Sequence, residues 1–280
     1  MSMIKIENLT FAYPGSYDNI FENCSFQFDT NWKIGLIGRN GRGKTTLLHL
    51  LQNHYSYTGR IISAVLFDYF PYPIEEKNLL TGEVLNKVCP TAQEWEFLRE
   101  FSFLALDAEV LWRPFDTLSN GEQTKALLAA FFLKEGCFPL IDEPTNHLDA
   151  HARQVIASYL NKKKGYLLVS HDRKFLDECV DHVISINKAT IGVQAGNFSS
   201  WWENFSRQQQ FEQRQNERLQ NDITRLRKAA MRTSNWSDQI ESSKYGDGSA
   251  DRGYIGHQSA KMMKRAKVIA KRRERAIEET

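Results

Sequence analysis

Short apolar runs alternate with helical patterns of apolar residues from residue 3 to about residue 195. The runs have the length and the β-branched and aromatic content of strands. Predicted strands lie at 3–11, 25–30, 32–38, 60–70, 138–142, 165–170, 182–187 and 189–194. Predicted helices lie at 43–52, 92–105, 121–134, 149–162 and 173–180. The alternation predicts an α/β fold, in which the last two strands pair antiparallel at a sheet edge.

The pattern changes after residue 200. Residues 203–232 are rich in Gln, Arg and Glu without Gly or Pro, and a second polar stretch begins at Ser259. Between them lies the glycine-rich segment "KYGDGSADRGYIGHQ", residues 244–258. Two polar helices joined by a loop predict a helical hairpin. We therefore expect one domain at 1–200 and a protruding hairpin arm at 201–280, with its tip at about 236–258.

The apolar positions of the arm are sparse. They recur at spacings of three, four, seven and eight residues, which is a narrow seam suited to a two-helix coiled coil. The seam consists of Phe205, Phe211, Leu219, Ile223, Leu226 and Ala230.

Charge is distributed unevenly along the 280 residues. Residues 1–200 carry 19 basic and 23 acidic side chains, whereas residues 201–280 carry 17 basic and 11 acidic ones. An acidic body with a basic tail indicates an anionic partner for the tail. A solvated, charged helix is the alternative interpretation.

Cysteine content and hydropathy bear on location. The four cysteines show no CxxC spacing, and the longest strongly apolar stretch is "ALLAAFFL" at 126–133. Such a stretch is too short to cross a bilayer. The first residues show no charged n-region followed by an apolar h-region, so we expect no signal peptide. We expect free thiols, no membrane insertion and a cytoplasmic location.

A phosphate-binding motif occupies residues 38–46. "GRNGRGKTT" fits G-x-x-x-x-G-K-[ST], and it lies between an apolar strand and a helix, as the motif requires. Gly41 and Gly43 would let backbone N–H groups converge on phosphate oxygens at the helix N-terminus. Lys44 would reach the β- and γ-phosphates, and Thr45 would offer its hydroxyl to Mg²⁺. A glycine-rich turn without a ligand is the alternative.

Paired carboxylates end the strand "FPLID". Asp142 would hold the Mg²⁺ shell, and Glu143 would polarise the attacking water. A nucleotide with β- and γ-phosphates, together with Mg²⁺, is therefore expected at this site. Pro139 is unusual in a central strand because it cannot donate to the ladder.

Together with four further motifs, these residues resemble the ATP-binding cassette ATPases over residues 1 to about 195. "LSNGEQ" at 118–123 resembles the family's signature, "EPTNHLD" at 143–149 its loop after the catalytic carboxylate, and "SHD" at 170–172 its switch histidine. The resemblance implies ATP hydrolysis with Glu143 and His171 as catalytic residues, and a helical subdomain at about 73–134. It also implies that Tyr13 of "FAY" stacks on adenine and that Asn40 and Thr46 contact the nucleotide.

The signature residues are expected to act on a second nucleotide site. Ser119, followed by Glu122 three residues later, is a capping-box pattern that opens a helix. In the family, this helix start, here including Asn120 and Gly121, faces the γ-phosphate held by another cassette. Asn120 departs from the common signature, which has glycine. One cassette cannot complete a site, so we expect a second cassette in a longer chain or a homodimer mate.

A second departure lies in "YFPYP" at 69–73. Relatives have glutamine, a contact of Mg²⁺ and of the attacking water, where this chain has Tyr72. Either the Tyr72 hydroxyl substitutes for it, or hydrolysis is slow and the site acts as a clamp, or the loop is offset by a residue or two.

The motif "EPTNHLD", the lack of membrane segments and the basic hairpin resemble the ABC-F branch. The stretches "NWKIGLIGRNGRGKTTLL", "LWRPF", "FPLIDEPTNHLD", "KYG" and "MKRAK" resemble most closely its Lsa-type antibiotic-resistance members. The resemblance implies two cassettes and a ribosome partner, with contacts to 23S rRNA and P-site tRNA. It further implies protection against lincosamides, streptogramin A and pleuromutilins. Because the pattern is still helical at Thr280, we expect an N-terminal portion of a longer protein.

Candidate RNA contacts follow from aromatic stacking and from basic side chains that can lie along phosphates. They are Lys244, Tyr245, Arg252, Tyr254, Lys261, Lys264 and Arg265. The alternatives are a disordered tail, an ATPase subunit of a membrane transporter, and a nucleotide-dependent RNA-binding module with weak turnover.

Overall fold

The computed structural model describes residues 2–16, 18–146, 148–187 and 191–242, together with 261, 264 and 268. The chain divides into two compact units, Met1–Glu203 and Asn204–Thr280.

The first unit alternates strands and helices. Its strands are β1 (Met3–Phe11), β2 (Phe21–Asp29), β3 (Lys33–Gly38), β4 (Thr58–Ile62), β5 (Leu66–Phe70), β6 (Cys137–Asp142), β7 (Tyr166–Val169), β8 (His182–Ile186) and β9 (Ile191–Ala195). Its helices are α1 (Lys44–Leu51), α2 (Thr81–Val88), α3 (Glu94–Phe103), α4 (Asn120–Phe131), α5 (Ala150–Lys162) and α6 (Arg173–Cys179), with 3₁₀ turns at Ala108–Trp112 and Phe115–Thr117. The α/β fold class is confirmed.

The larger sheet has the strand order β5-β6-β7-β3-β8-β9. All of its neighbours run parallel except β8 and β9, which pair antiparallel at one edge, as predicted. The strand "YLLV" of β7 is buried at every position, as expected for a parallel strand covered on both faces. Pro139 of β6 pairs with Asp68 of the edge strand β5, and the ladder with β7 begins only at Leu140. The missing N–H of Pro139 therefore lies outside the β6–β7 ladder.

A smaller antiparallel sheet has the order β2-β1-β4. Ile4 and Ile6 of β1 are buried while Lys5 and Glu7 are exposed, which is the alternation of a half-buried strand. The buried residues join an apolar cluster with leucines of α1 and with β3, β6, β7 and β8. This packing fixes α1 and the end of β3, between which the phosphate motif lies.

The prediction of a single strand at 60–70 is wrong. The segment forms β4 and β5, which belong to different sheets. Between them the Ser63 hydroxyl donates to the carbonyl of Val65 at 2.8 Å and accepts from its N–H at 3.1 Å, closing a turn. One polar residue inside an apolar run was the available signal for this break.

A second apolar cluster joins α2, α3 and α4 to α5 and α6. Within it, Glu100 of α3 is only 2% exposed. Its carboxylate accepts hydrogen bonds from Tyr159 and Lys163, the former at 2.6 Å. Burial alone would raise the pKa of Glu100, but these hydrogen bonds and the Lys163 charge outweigh it and hold the pKa below its usual value. The buried carboxylate thus ties α3 to α5.

The long helix α7 spans Phe198–Ser242. Its first turn belongs to the first unit, where Asp177 accepts a hydrogen bond from the Ser199 N–H at 2.7 Å. In the second unit, Leu219, Ile223 and Leu226 are half-buried among exposed polar neighbours, at the three- and four-residue spacing predicted for the seam. The glycine-rich tip and most of the second polar stretch lie outside the described residues. Over the part of the chain that is described, no helix combines the length and apolar character needed to cross a membrane.

Candidate nucleotide site

The phosphate motif forms a loop between β3 and α1. Gly41 and Gly43 have φ values of 75° and 89°, in the left-handed region that glycine adopts without strain. A Cβ on Gly43 would also lie 2.6 Å from Cγ2 of Ile20. No acidic residue occupies the first turn of α1, so the partial positive charge of this helix end is uncompensated within that turn. The loop and helix end therefore form a site suited to anions.

The Lys44 ammonium lies across this loop. It donates to the carbonyl of Gly38 at 3.0 Å and to Oδ1 of Asn40 at 3.5 Å. These neutral acceptors can be exchanged for phosphate oxygens, which form stronger, charge-assisted hydrogen bonds.

Asp142 and Thr45 meet at the predicted metal position. The Thr45 hydroxyl donates to Oδ2 of Asp142 at 2.9 Å. A carboxylate and a hydroxyl are the hard oxygen ligands that Mg²⁺ prefers beside phosphate oxygens, so these residues fit the ion. The Tyr69 hydroxyl donates to the same Oδ2 at 3.1 Å. Burial, followed by the Asp142 charge and hydrogen bond, raises the pKa of Tyr69 above its usual range and keeps the phenol a donor.

Glu143 follows Asp142 with its backbone in the left-handed region, at φ 51°. Its N–H donates to the carbonyl of Val169 at 2.9 Å, which fixes the residue beside the end of β7. Its Oε1 is buried and makes no hydrogen bond with the described residues, although Nε2 of His171 lies 3.4 Å away. Burial raises the pKa of Glu143, against the opposing effect of His171. A buried oxygen without a partner marks a position for a water molecule.

His171 lies on the loop between β7 and α6. Asp172 caps α6, because its Oδ1 accepts from the N–H groups of Lys174 at 3.0 Å and Phe175 at 3.2 Å. The Asp172 N–H in turn donates to the Ser170 hydroxyl at 3.1 Å. The histidine is thus held between two fixed neighbours while its own side chain remains 60% exposed.

Tyr13 stands beside the phosphate loop. Its hydroxyl shares a hydrogen bond of 2.9 Å with Thr46 of α1. Phe11 and Tyr55 make edge contacts with its ring, at centroid distances of 5.1 and 5.5 Å. The ring is oriented from three directions and is 38% exposed, so it can receive a base.

These side chains line one cleft of about 380 Å³. Its lining residues are Tyr13, Ile20, Asn40, Gly41, Gly43, Lys44, Thr45, Thr46, Asp142, Glu143, Val169 and His171. The structure thus brings together the nucleotide, metal and catalytic residues predicted from the sequence, apart from Tyr72. Tyr69 was not predicted, because its contact with Asp142 depends on the pairing of β5 with β6.

The signature residues open α4 and are not part of this lining. The capping box is present: the Ser119 hydroxyl accepts from the Glu122 N–H at 3.3 Å, and Glu122 Oε2 accepts from the Ser119 N–H at 2.8 Å. The N–H and hydroxyl of Ser119 hold the pKa of Glu122 below its usual value. Asn120 and Gly121 form the first turn of α4. Their role toward a second nucleotide site stays a prediction.

Tyr72 is not among the residues that line the cleft, and a contact of its hydroxyl with the metal stays a prediction. The Tyr72 hydroxyl donates to Asp68 and accepts from the Lys134 ammonium, the latter at 2.8 Å. Lys134 follows α4, and its Nζ lies 5.1 Å from the centre of the Tyr72 ring. The tyrosine therefore packs against the end of the signature helix, and Tyr69 is the tyrosine that contacts Asp142.

Most of the candidate RNA contacts lie outside the described residues, namely Lys244, Tyr245, Arg252, Tyr254 and Arg265. Lys261 and Lys264 are helical and exposed.

The sequence of this chain is similar to proteins of known families. The ABC transporter family matches residues 21–146. ABC transporter F family member 5 of Arabidopsis thaliana is 29% identical over 213 residues, which cover 72% of this chain and 30% of the relative. Ribosome protection protein VmlR of Bacillus subtilis is 29% identical over 248 residues, covering 85% of this chain and 41% of that protein. The chain thus spans well under half the length of these curated relatives.

Solved structures agree on the fold. A bacterial Atm1-family ABC exporter with ATP bound superposes with a TM-score of 0.60 at 19% identity, covering 72% of this chain and 40% of that one. A putative metal-chelate type ABC transporter gives 0.58 at 20% identity, covering 70% and 84%. At these identities the likeness concerns the cassette fold alone.

Proposed function

We propose that the chain carries an ATP-binding cassette of the ABC-F type and that it binds and hydrolyses ATP as part of a ribosome-associated factor. The observation that carries the hydrolytic part is the cleft in which Lys44, Asp142 and Glu143 converge. A half-buried carboxylate with a raised pKa, next to the carboxylate proposed to bind the metal, is the arrangement that a general base for water requires.

Each residue has a distinct part in this proposal. The loop amides and Lys44 bind the triphosphate, and Tyr13 stacks on the adenine. Thr45 and Asp142 hold Mg²⁺, which supplies charge neutralisation at the phosphates. Glu143 accepts the proton of the attacking water. His171, whose Nε2 lies 3.4 Å from Oε1 of Glu143, orients the Glu143 carboxylate.

We further propose that Ser119, Asn120, Gly121 and Glu122 contact the γ-phosphate at a second cassette. This cassette lies elsewhere in a longer protein or in a second copy of the chain. The support is that these residues form an ordered helix start outside their own cleft. A helix N-terminus favours an anion, and the partner cassette would provide it.

The ribosome is the proposed partner. Support comes from the match to a ribosome protection protein over 85% of this chain and from the polar helix that follows the cassette. Within this proposal the arm contacts 23S rRNA and P-site tRNA, and the factor works in the cytoplasm. A finer proposal, resting on the Lsa-type resemblance, is antibiotic resistance of the lincosamide, streptogramin A and pleuromutilin type.

Ribosome pelleting tests the proposal. The chain and its Glu143→Gln variant are centrifuged with ribosomes in the presence of ATP, ADP or no nucleotide. Glu143→Gln should bind ATP but hydrolyse it slowly, and should therefore be enriched on ribosomes with ATP. Glu135→Gln, at an exposed position, is the matched control. Equal pelleting in all three nucleotide states would contradict the ribosomal part of the proposal.

Phosphate release separates a hydrolysing factor from a nucleotide-dependent RNA-binding module. Because one cassette cannot complete a site, the assay uses the longer protein or chain concentrations at which two copies can pair. We expect phosphate release, with and without ribosomes, that Glu143→Gln slows strongly. Ribosome binding without release would favour the module.

A further inference from the structure

We propose that Tyr69 is a positioning residue for the metal carboxylate Asp142. Its hydroxyl donates to Oδ2 of Asp142 at 3.1 Å, and the Thr45 hydroxyl donates to the same oxygen at 2.9 Å. The inference rests on the proposed function, in which Asp142 and Thr45 bind Mg²⁺.

The backbone holds Tyr69 in place. Tyr69 pairs with Leu140, and the next residue, Phe70, pairs with Ile141, directly before Asp142. Both residues of the contact are therefore anchored in adjacent parallel strands. The Tyr69 ring also packs against His49 of α1, with the ring centres 5.2 Å apart. A ring fixed on two sides has few ways to move its hydroxyl, so the hydrogen bond to Asp142 is pre-organised.

Two donors on one carboxylate oxygen have a chemical consequence. They restrain rotation of the Asp142 carboxylate, so that its second oxygen keeps one orientation. Thr45 is itself a metal ligand in the proposed site, and its hydroxyl must satisfy both the ion and Asp142. Tyr69 is not a metal ligand in the proposed site, so its hydroxyl orients the Asp142 carboxylate whether or not the ion is bound. Partners of this kind typically contribute a factor of about 10 to 100 to metal affinity.

The geometry also distinguishes Tyr69 from the other nearby tyrosine. Tyr72 uses its hydroxyl on Asp68 and Lys134, away from Asp142. The two residues differ in their partners although they lie three positions apart. The hydroxyl at the metal position thus comes from the strand rather than from the loop after it.

Metal affinity of the Tyr69→Phe variant tests the inference. The change removes one oxygen and retains the ring that packs on His49. The 280-residue chain is held in excess over a non-hydrolysable ATP analogue, so that little free analogue remains to chelate Mn²⁺. Mn²⁺ binding is then followed by the loss of the free Mn²⁺ signal in electron paramagnetic resonance. We expect Mn²⁺ to bind about tenfold more weakly to Tyr69→Phe. Affinity for the analogue in EDTA should change less than twofold.

Tyr57→Phe is the matched control. The Tyr57 hydroxyl donates to Asn53 at 3.1 Å, outside the cleft, so the same chemical change should leave Mn²⁺ affinity unaltered. Thermal unfolding without nucleotide establishes that each variant folds. Should Tyr69→Phe not fold, Tyr69→Leu, which has no side-chain donor, replaces it with the same expected result.

Two results would overturn the inference. One is a Mn²⁺ affinity within twofold of the parent chain. The other is an equal loss of analogue affinity in EDTA, which indicates general distortion of the cleft. If the parent chain binds no Mn²⁺ with the analogue, the proposed metal site fails and the inference fails with it. The assay contains no ribosomes, so its result does not depend on whether the chain binds the ribosome.

Discussion

The guanidinium of Arg173 lies over the ring of Trp202, with its carbon 4.7 Å from the ring centre. Arg173 begins α6, two residues after His171, and Trp202 lies in the first turns of α7 within the same unit. One side chain therefore connects the segment that carries the switch histidine with the start of the long helix.

Loss of that contact should be measurable as stability. We expect Arg173→Ala to lower the free energy of unfolding by about 0.5 to 1 kcal/mol, the usual size of a partly exposed cation–π contact. Urea unfolding followed by circular dichroism measures the change. Lys174→Ala, at the exposed next position, is the control. Equal effects of the two substitutions would contradict a specific role for the Arg173–Trp202 contact.

Tyr72→Phe should affect stability rather than nucleotide binding. The change leaves Asp68 and Lys134 paired but removes a half-buried hydroxyl that bonds to both. We expect a loss of about 1 to 2 kcal/mol, because both partners lose a hydrogen bond. Denaturant unfolding gives this value, and a fluorescent ATP analogue with Mg²⁺ gives the affinity. A clear fall in Mg²⁺-dependent affinity would instead return Tyr72 to the metal site.

Ser119→Ala should weaken the start of α4. The hydroxyl that accepts from the Glu122 N–H is lost, and such caps contribute about 1 kcal/mol. Ser119→Gly is the comparison, since glycine is a tolerated N-cap and should cost only a few tenths of a kcal/mol. Thermal unfolding ranks the stability of the parent chain, Ser119→Gly and Ser119→Ala. If Ser119→Ala and Ser119→Gly lower the stability by the same few tenths of a kcal/mol, the Ser119 cap does not support the helix.

The buried carboxylate of Glu100 predicts a dependence on pH. Its pKa in the folded chain lies below the value of about 4.3 for an unfolded glutamate. A depressed folded pKa stabilises the protein above the unfolded pKa, and this contribution is lost as the pH falls through the folded one. Glu100→Gln should therefore lower the free energy of unfolding by about 2 kcal/mol at pH 7. Below about pH 4, the free energy of unfolding of this variant should fall less steeply with falling pH than that of the parent chain.

Urea unfolding at a series of pH values measures this dependence. Glu109→Gln, at an exposed position, should leave the acid limb of the profile in place. An unchanged acid limb in Glu100→Gln would show that other carboxyl groups govern acid unfolding.

The fold class and the loop chemistry were predictable because both depend on local pattern. A continuous apolar run such as that of β7 is typical of a buried parallel strand. The spacing of the phosphate motif indicates where the phosphate loop lies. The Tyr69–Asp142 contact was not predictable, since it depends on the register between β5 and β6, which no local sequence pattern specifies. The misread strand at 60–70 had the same origin, because membership of a sheet is decided by partners far along the chain.

Helix α2 was missed for a different reason. It begins at Thr81 after Leu80, which has no side-chain oxygen for capping, and it contains Gly82, a poor helix former. Its N-terminus is closed instead by Glu83, whose carboxylate accepts from the Leu80 N–H at 3.1 Å. The remaining stabilisation comes from burial of Val84 and Leu85, which is a tertiary effect.

The positive φ of Glu143 places a backbone cost at the residue that the proposed function uses as the base for water. A side chain other than glycine costs about 1 to 2 kcal/mol in that conformation. Directed evolution for heat tolerance alone should therefore enrich glycine at position 143, and under the proposed function the variants recovered would have lost hydrolysis.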